Sequence, residues 1–165
     1  MELVVDRVPT SASYPLRQAV LRPHQDLEAV VWEGDDEPDT ATFAAFEPEG
    51  GAIVGVATVF PEAAPFAPDA VGLDASYGME NRAWRLRGMA TAEGLRNQGI
   101  GSMVLKAVSD HVASRGGRLL WCNARVGAVA FYEQAGFATF GDEWVLASIG
   151  PHIVMWRRVD QEETR

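Results

Sequence analysis

Arg96-Asn97-Gln98-Gly99-Ile100-Gly101 sets a basic residue and two glycines just ahead of an apolar pattern at helical spacing. A helix N-terminus presents backbone N–H groups without partners and carries partial positive charge. The glycines remove side chains that would hold an anion away, and Arg96 adds a full charge at the mouth. Such an arrangement holds a phosphate or a pyrophosphate. Two familiar phosphate motifs do not fit it. A P-loop needs Lys and then Ser or Thr directly after its last glycine, whereas Lys106 lies well into the helix. A Rossmann fingerprint needs Gly or Ala where Val104 stands, and it belongs near the first strand rather than past the midpoint of the chain.

The charge distribution bears on the same segment. The net charge is −9, which argues against non-specific binding to nucleic acid or to an anionic membrane. Yet Arg82, Arg85, Arg87, Arg96, Lys106, Arg115, Arg118 and Arg125 crowd the middle of the chain, opposed there only by Glu93 and Asp110. Acid gathers in the flanks, at Glu33 to Asp39 and at Asp160 to Glu163. A basic middle is either a local anion site or a set of arginines solvating the outer faces of strands and helices. Both readings stay open on charge alone.

Cysteine chemistry is narrowly bounded. The single cysteine, Cys122, excludes an intrachain disulfide and any multi-cysteine metal site, and no metal is expected. Cys122 lies in an apolar run and reads as core rather than as a nucleophile.

The elements that must position these residues follow from periodicity and turn chemistry. Leu3-Val4-Val5 reads as a short first strand, and Tyr14 to Leu21 as a helix limited by Pro23. Glu33 to Asp39 is a polar turn. Thr42 to Phe46 and Ala52 to Phe60 form a hairpin. Pro61 to Gly78, rich in Pro, Ala and Gly, is expected as a surface loop. Trp84 to Ala90 reads as a strand with one wet face at its start, carrying Arg85 and Arg87. Ile100, Met103, Val104, Ala107, Val108 and Val112 mark a helix that stops at Gly116-Gly117. Leu119 to Cys122 is an apolar strand, and Val126 to Gln134 a second helix ended by Gly136. Trp144 to Leu146 and His152 to Arg157 close the chain as two strands. The order suits an α+β, mixed α/β sheet with helices on both faces.

A chain of 165 residues is most simply one domain, with residues 1–165 forming it. No apolar run approaches the roughly 20 residues of a membrane span. Met1 to Asp6 has no basic n-region, so no signal peptide is expected and the location reads as cytoplasmic.

The stretch from Arg87 to Ser102 resembles the coenzyme-A-binding motif of the GNAT acetyltransferases, with Met89-Ala90-Thr91 matching the end of their fourth strand. Phe131-Tyr132-Glu133-Gln134-Ala135-Gly136-Phe137 is similar to their second motif. Gly150 to Met155 resembles the last strand of many small bacterial members, and Leu16 to Pro23 the first helix of one such group. The resemblance covers most of the chain and is weakest across residues 61–80. It implies a central mixed, mostly antiparallel sheet splayed between its fourth and fifth strands.

It also implies a mechanism. Acetyl-CoA would be the co-substrate. The backbone of Met89, Ala90 and Thr91 would bond the pantetheine arm, and the Met89 region would polarise the thioester carbonyl. The N–H groups of Asn97, Gln98, Gly99, Ile100, Gly101 and Ser102 would hold the pyrophosphate, assisted by Arg96. An amine must lose a proton before it attacks, since an alkyl ammonium has a reference pKa near 10. Tyr132 matches the family's usual general acid; its other reading is packing against the cofactor. Many relatives carry a glutamate base on the fourth strand, where this chain has Arg85 and Arg87. The remaining base candidates are Glu143, at the start of the sixth strand, and His152, at the start of the seventh. His152 equally suits a turn cap, and Glu143 a solvated strand position. Arg125 stands where many relatives place a cofactor-binding asparagine, and Asn123 is positioned to substitute for it.

The resemblance thus implies an N-acetyltransferase that moves an acetyl group to a primary amine of a small molecule, an amino acid or a peptide N-terminus by direct attack. A non-catalytic acyl-CoA-binding or regulatory module is the alternative. A nucleic-acid binder is disfavoured by net charge and by the lack of aromatic-basic interleaving. The protein is expected as a monomer or a homodimer, with an unidentified amine as its other partner.

Overall fold

The computed structural model describes residues 2–49 and 51–159. The strands are β1 (Val4–Val8), β2 (Ala41–Phe46), β3 (Ile53–Pro61), β4 (Ala83–Thr91), β5 (Leu119–Arg125), β6 (Ala138–Leu146) and β7 (Gly150–Arg158). The helices are α1 (Tyr14–Leu21), α2 (Ile100–Ser114) and α3 (Val129–Gln134). In the sheet the strands are ordered β1-β2-β3-β4-β5-β7-β6. The β4–β5 pair is parallel, whereas β1–β2, β2–β3, β5–β7 and β6–β7 are antiparallel. The fold is therefore the mixed, mostly antiparallel α+β architecture that the sequence predicts. The chain forms two compact units: one holds the described residues to Phe60 together with Leu86–His111, the other Pro61–Arg85 and the described residues from Val112 onward.

In the first unit, β1 pairs with β2 from Val4↔Phe46 to Val8↔Thr42. β2 returns through the expected hairpin to β3, from Ala41↔Val59 to Phe46↔Ile53. Val54 to Phe60 is buried without a break, as befits an apolar run covered on both faces. Ala44, Val56 and Ala90 form a core cluster against which Leu16, Val20 and Leu21 of α1 pack. Pro15 sits in the first turn of α1, where a missing N–H costs no helix bond.

Along α2, Ile100, Val104, Leu105 and Val108 are buried, whereas Met103, expected in the apolar stripe, is 39% exposed. Leu105 takes the inner position instead. The start of α2 is seated by Gly55 of β3: a Cβ there would lie 2.6 Å from Ile100 Cγ2 and 3.4 Å from Val104 Cγ2.

In the second unit, β4 and β5 pair over Ala83↔Leu119 to Arg85↔Trp121. Both strands run on past that register, β4 to Thr91 and β5 to Arg125. β5 pairs with β7 from Leu119↔Arg158 to Arg125↔His152. β6 pairs with β7, with a bulge between Phe140 and Trp144.

Four expectations need correction here. The segment at 61–78 is more than a surface loop. It carries two short 3-10 turns, Pro68–Val71 and Ala75–Gly78, and Tyr77 is buried with Ala83, Leu119, Trp121 and Val154. β6 starts at Ala138, not Trp144, because the bulge breaks the alternation that would have revealed its first half. The helix at 126–134 is a 3-10 turn, Val126–Ala128, followed by the short α3. Finally, β1 runs from Val4 to Val8 rather than over Leu3-Val4-Val5, whereas Arg85 and Arg87 hold the expected more open face of β4, half-buried where Trp84 and Leu86 are buried.

Gly55→Ala is expected to lower stability by about 1–3 kcal/mol, because the new methyl would lie 2.6 Å from Cγ2 of Ile100, a β-branched side chain with little χ1 freedom in a helix. Urea unfolding measures this, and an unchanged midpoint would show that the start of α2 is not held by that contact.

Candidate active site

The glycine-bearing loop lies wholly in the first unit. Its backbone is left-handed at Gly94 (φ 88°), Asn97 (φ 65°) and Gly99 (φ 83°). Asparagine is one of the few side-chain-bearing residues that takes this conformation readily. Alternating hand turns successive N–H groups toward one side, making an anion-binding nest. The Met103 N–H donates to the Gly99 carbonyl at 3.1 Å, so the helical ladder begins at Gly99. The earlier N–H groups of α2 face outward from the ladder. No acidic residue stands in the first turn of α2. A Cβ at Gly94 or Gly99 would meet nothing within 4 Å, so the space above the loop is open. Arg96, Asn97, Gln98, Gly99 and Ser102 are exposed, while the Ile100 side chain is buried and anchors the loop from below. Backbone donors, an open approach, a helix dipole and an arginine fit a pyrophosphate.

Met89, Ala90 and Thr91 end β4 in the same unit. The Ala90 side chain is buried, and Met89 and Thr91 are half-buried. Just before them Gly88 is left-handed, with φ 69°.

The basic middle resolves into individually engaged arginines. Arg82 donates to the Gly116 carbonyl at 2.8 Å, and Arg118 to the Ser76 hydroxyl. Arg115 stacks on Trp84. Arg85 pairs with Glu62 at 3.4 Å and stacks on Trp121. Arg87 pairs with Asp35 at 3.1 Å and stacks on Phe60. Lys106 pairs with Asp110 along α2. Arg96, exposed at the loop mouth, is the member of the set placed to meet an anion.

The second unit carries Tyr132, Asn123, His152 and Glu143. Tyr132 of α3 is buried, with Phe131 and Phe137 edge-on at 5.0 and 5.2 Å. Its hydroxyl neighbours the Cys122 thiol, and each group perturbs the titration of the other. Burial, reinforced by Cys122, pushes the phenol pKa well above its ordinary value, so Tyr132 is a neutral proton donor at physiological pH. Burial likewise pushes the Cys122 thiol up to about 12. Asn123 is half-buried on β5, opposite Val154.

His152 is buried, the third residue of β7 rather than its first. Its Nδ1 lies 2.9 Å from the Gly150 carbonyl, and its ring stacks on Trp144 at 5.8 Å. A carbonyl accepts only, so in the neutral ring Nδ1 carries the proton and Nε2 keeps its lone pair. The turn-capping contact and a free basic nitrogen thus coexist in one side chain. Glu143 is not at the start of β6. It is exposed within the bulge.

Two arrangements had no sequence signal. Asp35 sits in what reads as a solvated acidic turn, yet it is buried between Arg17 and Arg87. Glu62 lies beside Arg85, giving β4 a neighbouring carboxylate. The Tyr132–Cys122 contact had a faint signal, because a helix directly after a strand packs back on it.

The Acetyltransferase (GNAT) family profile matches residues 11–137. The chain is 31% identical over 155 residues to the uncharacterised N-acetyltransferase YitI of Bacillus subtilis (strain 168), covering 94% of this chain and 95% of that one. Among solved structures it is similar to Escherichia coli ElaA, with TM-score 0.71 and 15% identity over 94% of this chain and 99% of that one. It is also similar to an aminoglycoside 6′-N-acetyltransferase complexed with coenzyme A, with TM-score 0.69 and 15% identity over 98% and 99%. The chain belongs to the GNAT acetyltransferase family. It is an N-acetyltransferase that draws its acyl group from acyl-CoA.

Cys122 is expected to resist alkylation in the folded protein at pH 8 and to react fully once denatured. Because its folded pKa of about 12 exceeds the ordinary 9.0, the stability it contributes is complete below pH 9 and is lost as pH rises toward 12. Iodoacetamide labelling followed by mass spectrometry checks the first point, and thermal unfolding from pH 8 to 11 the second. Rapid labelling of the native protein would refute the sealed thiol.

Proposed function

We propose that the chain acts as one catalytic domain, acetylating a primary amine by direct attack on acetyl-CoA. The observation that carries this reading is the left-handed loop at the open start of α2, which fits the pyrophosphate of coenzyme A, with Tyr132 as the general acid for the departing thiolate. The N–H groups from Asn97 to Ser102, with Arg96, hold the pyrophosphate. The Met89 and Thr91 backbone bonds the pantetheine amides, and Asn123 adds a contact to the cofactor. The Met89 N–H polarises the thioester carbonyl and stabilises the oxyanion.

The amine first loses a proton to His152 Nε2, directly or through water. Its lone pair attacks the carbonyl carbon, forming the C–N bond and a tetrahedral oxyanion. Collapse breaks the C–S bond and the coenzyme A thiolate takes the Tyr132 proton, while the extra proton left on the adduct nitrogen passes to water, from which the Tyr132 phenolate is reprotonated. His152 is favoured over Glu143 as the base, because its ring is held by Gly150 and Trp144 whereas Glu143 is exposed on a bulge. A sealed Cys122 with its pKa near 12 favours direct attack over an acyl-cysteine intermediate. The acceptor is a small molecule, an amino acid or a peptide N-terminus.

The test is thiol release from acetyl-CoA across a panel of amines, with isothermal titration of acetyl-CoA alongside. With an accepted amine, Tyr132→Phe is expected to lower kcat by about 10²-fold. His152→Gln is expected to lower it similarly while leaving acetyl-CoA affinity intact. Binding without turnover on any amine would instead favour a non-catalytic acyl-CoA-binding module. Unchanged turnover in Tyr132→Phe would remove the acid assignment.

A further inference from the structure

Arg17 lies on α1, yet no part of its side chain is exposed. Its Nη1 donates to the Val30 carbonyl at 2.8 Å and to Asp35 at 2.7 Å. Its Nη2 donates to the Thr58 hydroxyl at 2.9 Å and to the second Asp35 oxygen at 3.3 Å. The guanidinium also lies over Trp32 at 4.2 Å and Tyr14 at 5.3 Å. A planar fork with this many fixed partners has one orientation.

Its Nε–H, by contrast, is buried without a hydrogen-bond partner. That nitrogen lies 2.9 Å from where a Cβ on Gly88 would be, and the Trp32 ring lies 3.3 Å from the same point. Leaving a buried, charged donor unpaired is costly, so its placement calls for a reason. The reason the structure offers is contact: the guanidinium is the floor on which Gly88 rests. Arg87, the residue before Gly88, is tied to the same Asp35 and to the Glu33 carbonyl. The backbone at 87–88 is therefore held from two sides by a single carboxylate.

We infer that Arg17 is a positioning residue for acyl transfer: with Asp35 it fixes the left-handed Gly88 and so aims the Met89 backbone at the thioester carbonyl. The inference rests on the acyl-transfer reading above for what Met89 does, but not for the hold on Gly88. Misplacing a reacting group by about 1 Å can cost on the order of 10²-fold in rate, so a well-held floor has a kinetic consequence. Lysine at position 17 keeps the charge but has no planar fork to span Val30, Asp35 and Thr58 at once.

The test compares Arg17→Lys and the milder Thr58→Ala, which removes one Arg17 bond and the Thr58–Thr42 hydroxyl bond but leaves the ion pair, with the wild type. The readouts are hydrogen exchange and steady-state kinetics. In Arg17→Lys, amide exchange across 86–91 is expected to rise by about tenfold or more, while that across 101–111 stays unchanged. With an accepted amine, kcat is expected to fall by roughly tenfold or more at an acetyl-CoA KM within about twofold of wild type. Thr58→Ala should show the same signature, smaller, and it decides the matter if Arg17→Lys does not fold. Unchanged exchange at 86–91, a uniform rise along the chain, or local loosening without loss of kcat would each overturn the inference. If the wild type acetylates no amine, the proposed function fails, whereas the exchange pattern still decides whether Arg17 holds Gly88.

Discussion

Asp35 accepts five hydrogen bonds, from both terminal nitrogens of Arg17, Nη2 of Arg87, the Trp32 N–H and the Tyr14 hydroxyl. Burial alone would push its pKa up, but Arg17, the Trp32 N–H and the nearby Arg87 together hold the carboxyl below its ordinary value. Taking such a group out of water costs several kcal/mol, and only excellent geometry with every lone pair satisfied offsets it. The partners come from α1, from the turn after it, from β3 through Thr58 on Arg17, and from β4. Much of the first unit is thus organised around one carboxylate. The stability it contributes is complete above the ordinary carboxylate pKa and is lost as pH falls from there through the lowered one.

A second constraint shapes the donor loop. The chain is acidic overall, at −9, and yet must hold a highly charged anion. Most of the arginines in its middle are committed to protein partners, in ion pairs, carbonyl bonds and aromatic stacking. In the proposed donor site recognition falls mainly to backbone N–H groups, with left-handed turns at Asn97 and Gly99 and with Ile100 seated over Gly55. Backbone dipoles carry no net charge, so such a site forms without accumulating like charges that would repel one another when empty.

The readable parts of the sequence were those in which a local rule and the tertiary structure agree. α1 and α2 have their predicted ends, because Pro23 and Gly116-Gly117 act through their own backbones. The turn ahead of α2 was legible for the same reason, its glycines and the helix start lying in consecutive residues. What could not be read was pairing across distance. Asp35 in an acidic turn looks solvated until α1 and β4 bring two guanidiniums to it. Tyr77 in a Pro- and Ala-rich stretch looks like loop until β5 and β7 give it a floor. The first half of β6 was hidden because a bulge interrupts the period of two on which strand reading depends. The candidate base followed the same pattern: His152 was legible as a residue, but its tautomer depends on the Gly150 carbonyl.

That bulge also bears on solubility. β6 is the last strand in the sheet order, so one side of its backbone has no strand neighbour among the described residues. Val145 and Leu146 are exposed along it, a combination that invites another chain to add a strand. Between Phe140 and Trp144 the ladder is broken, and Asp142 and Glu143 lie there, both exposed. An irregular, negatively charged edge is a poor template for intermolecular pairing. Glu143, exposed on that edge, adds negative charge to it whether or not it takes part in proton transfer.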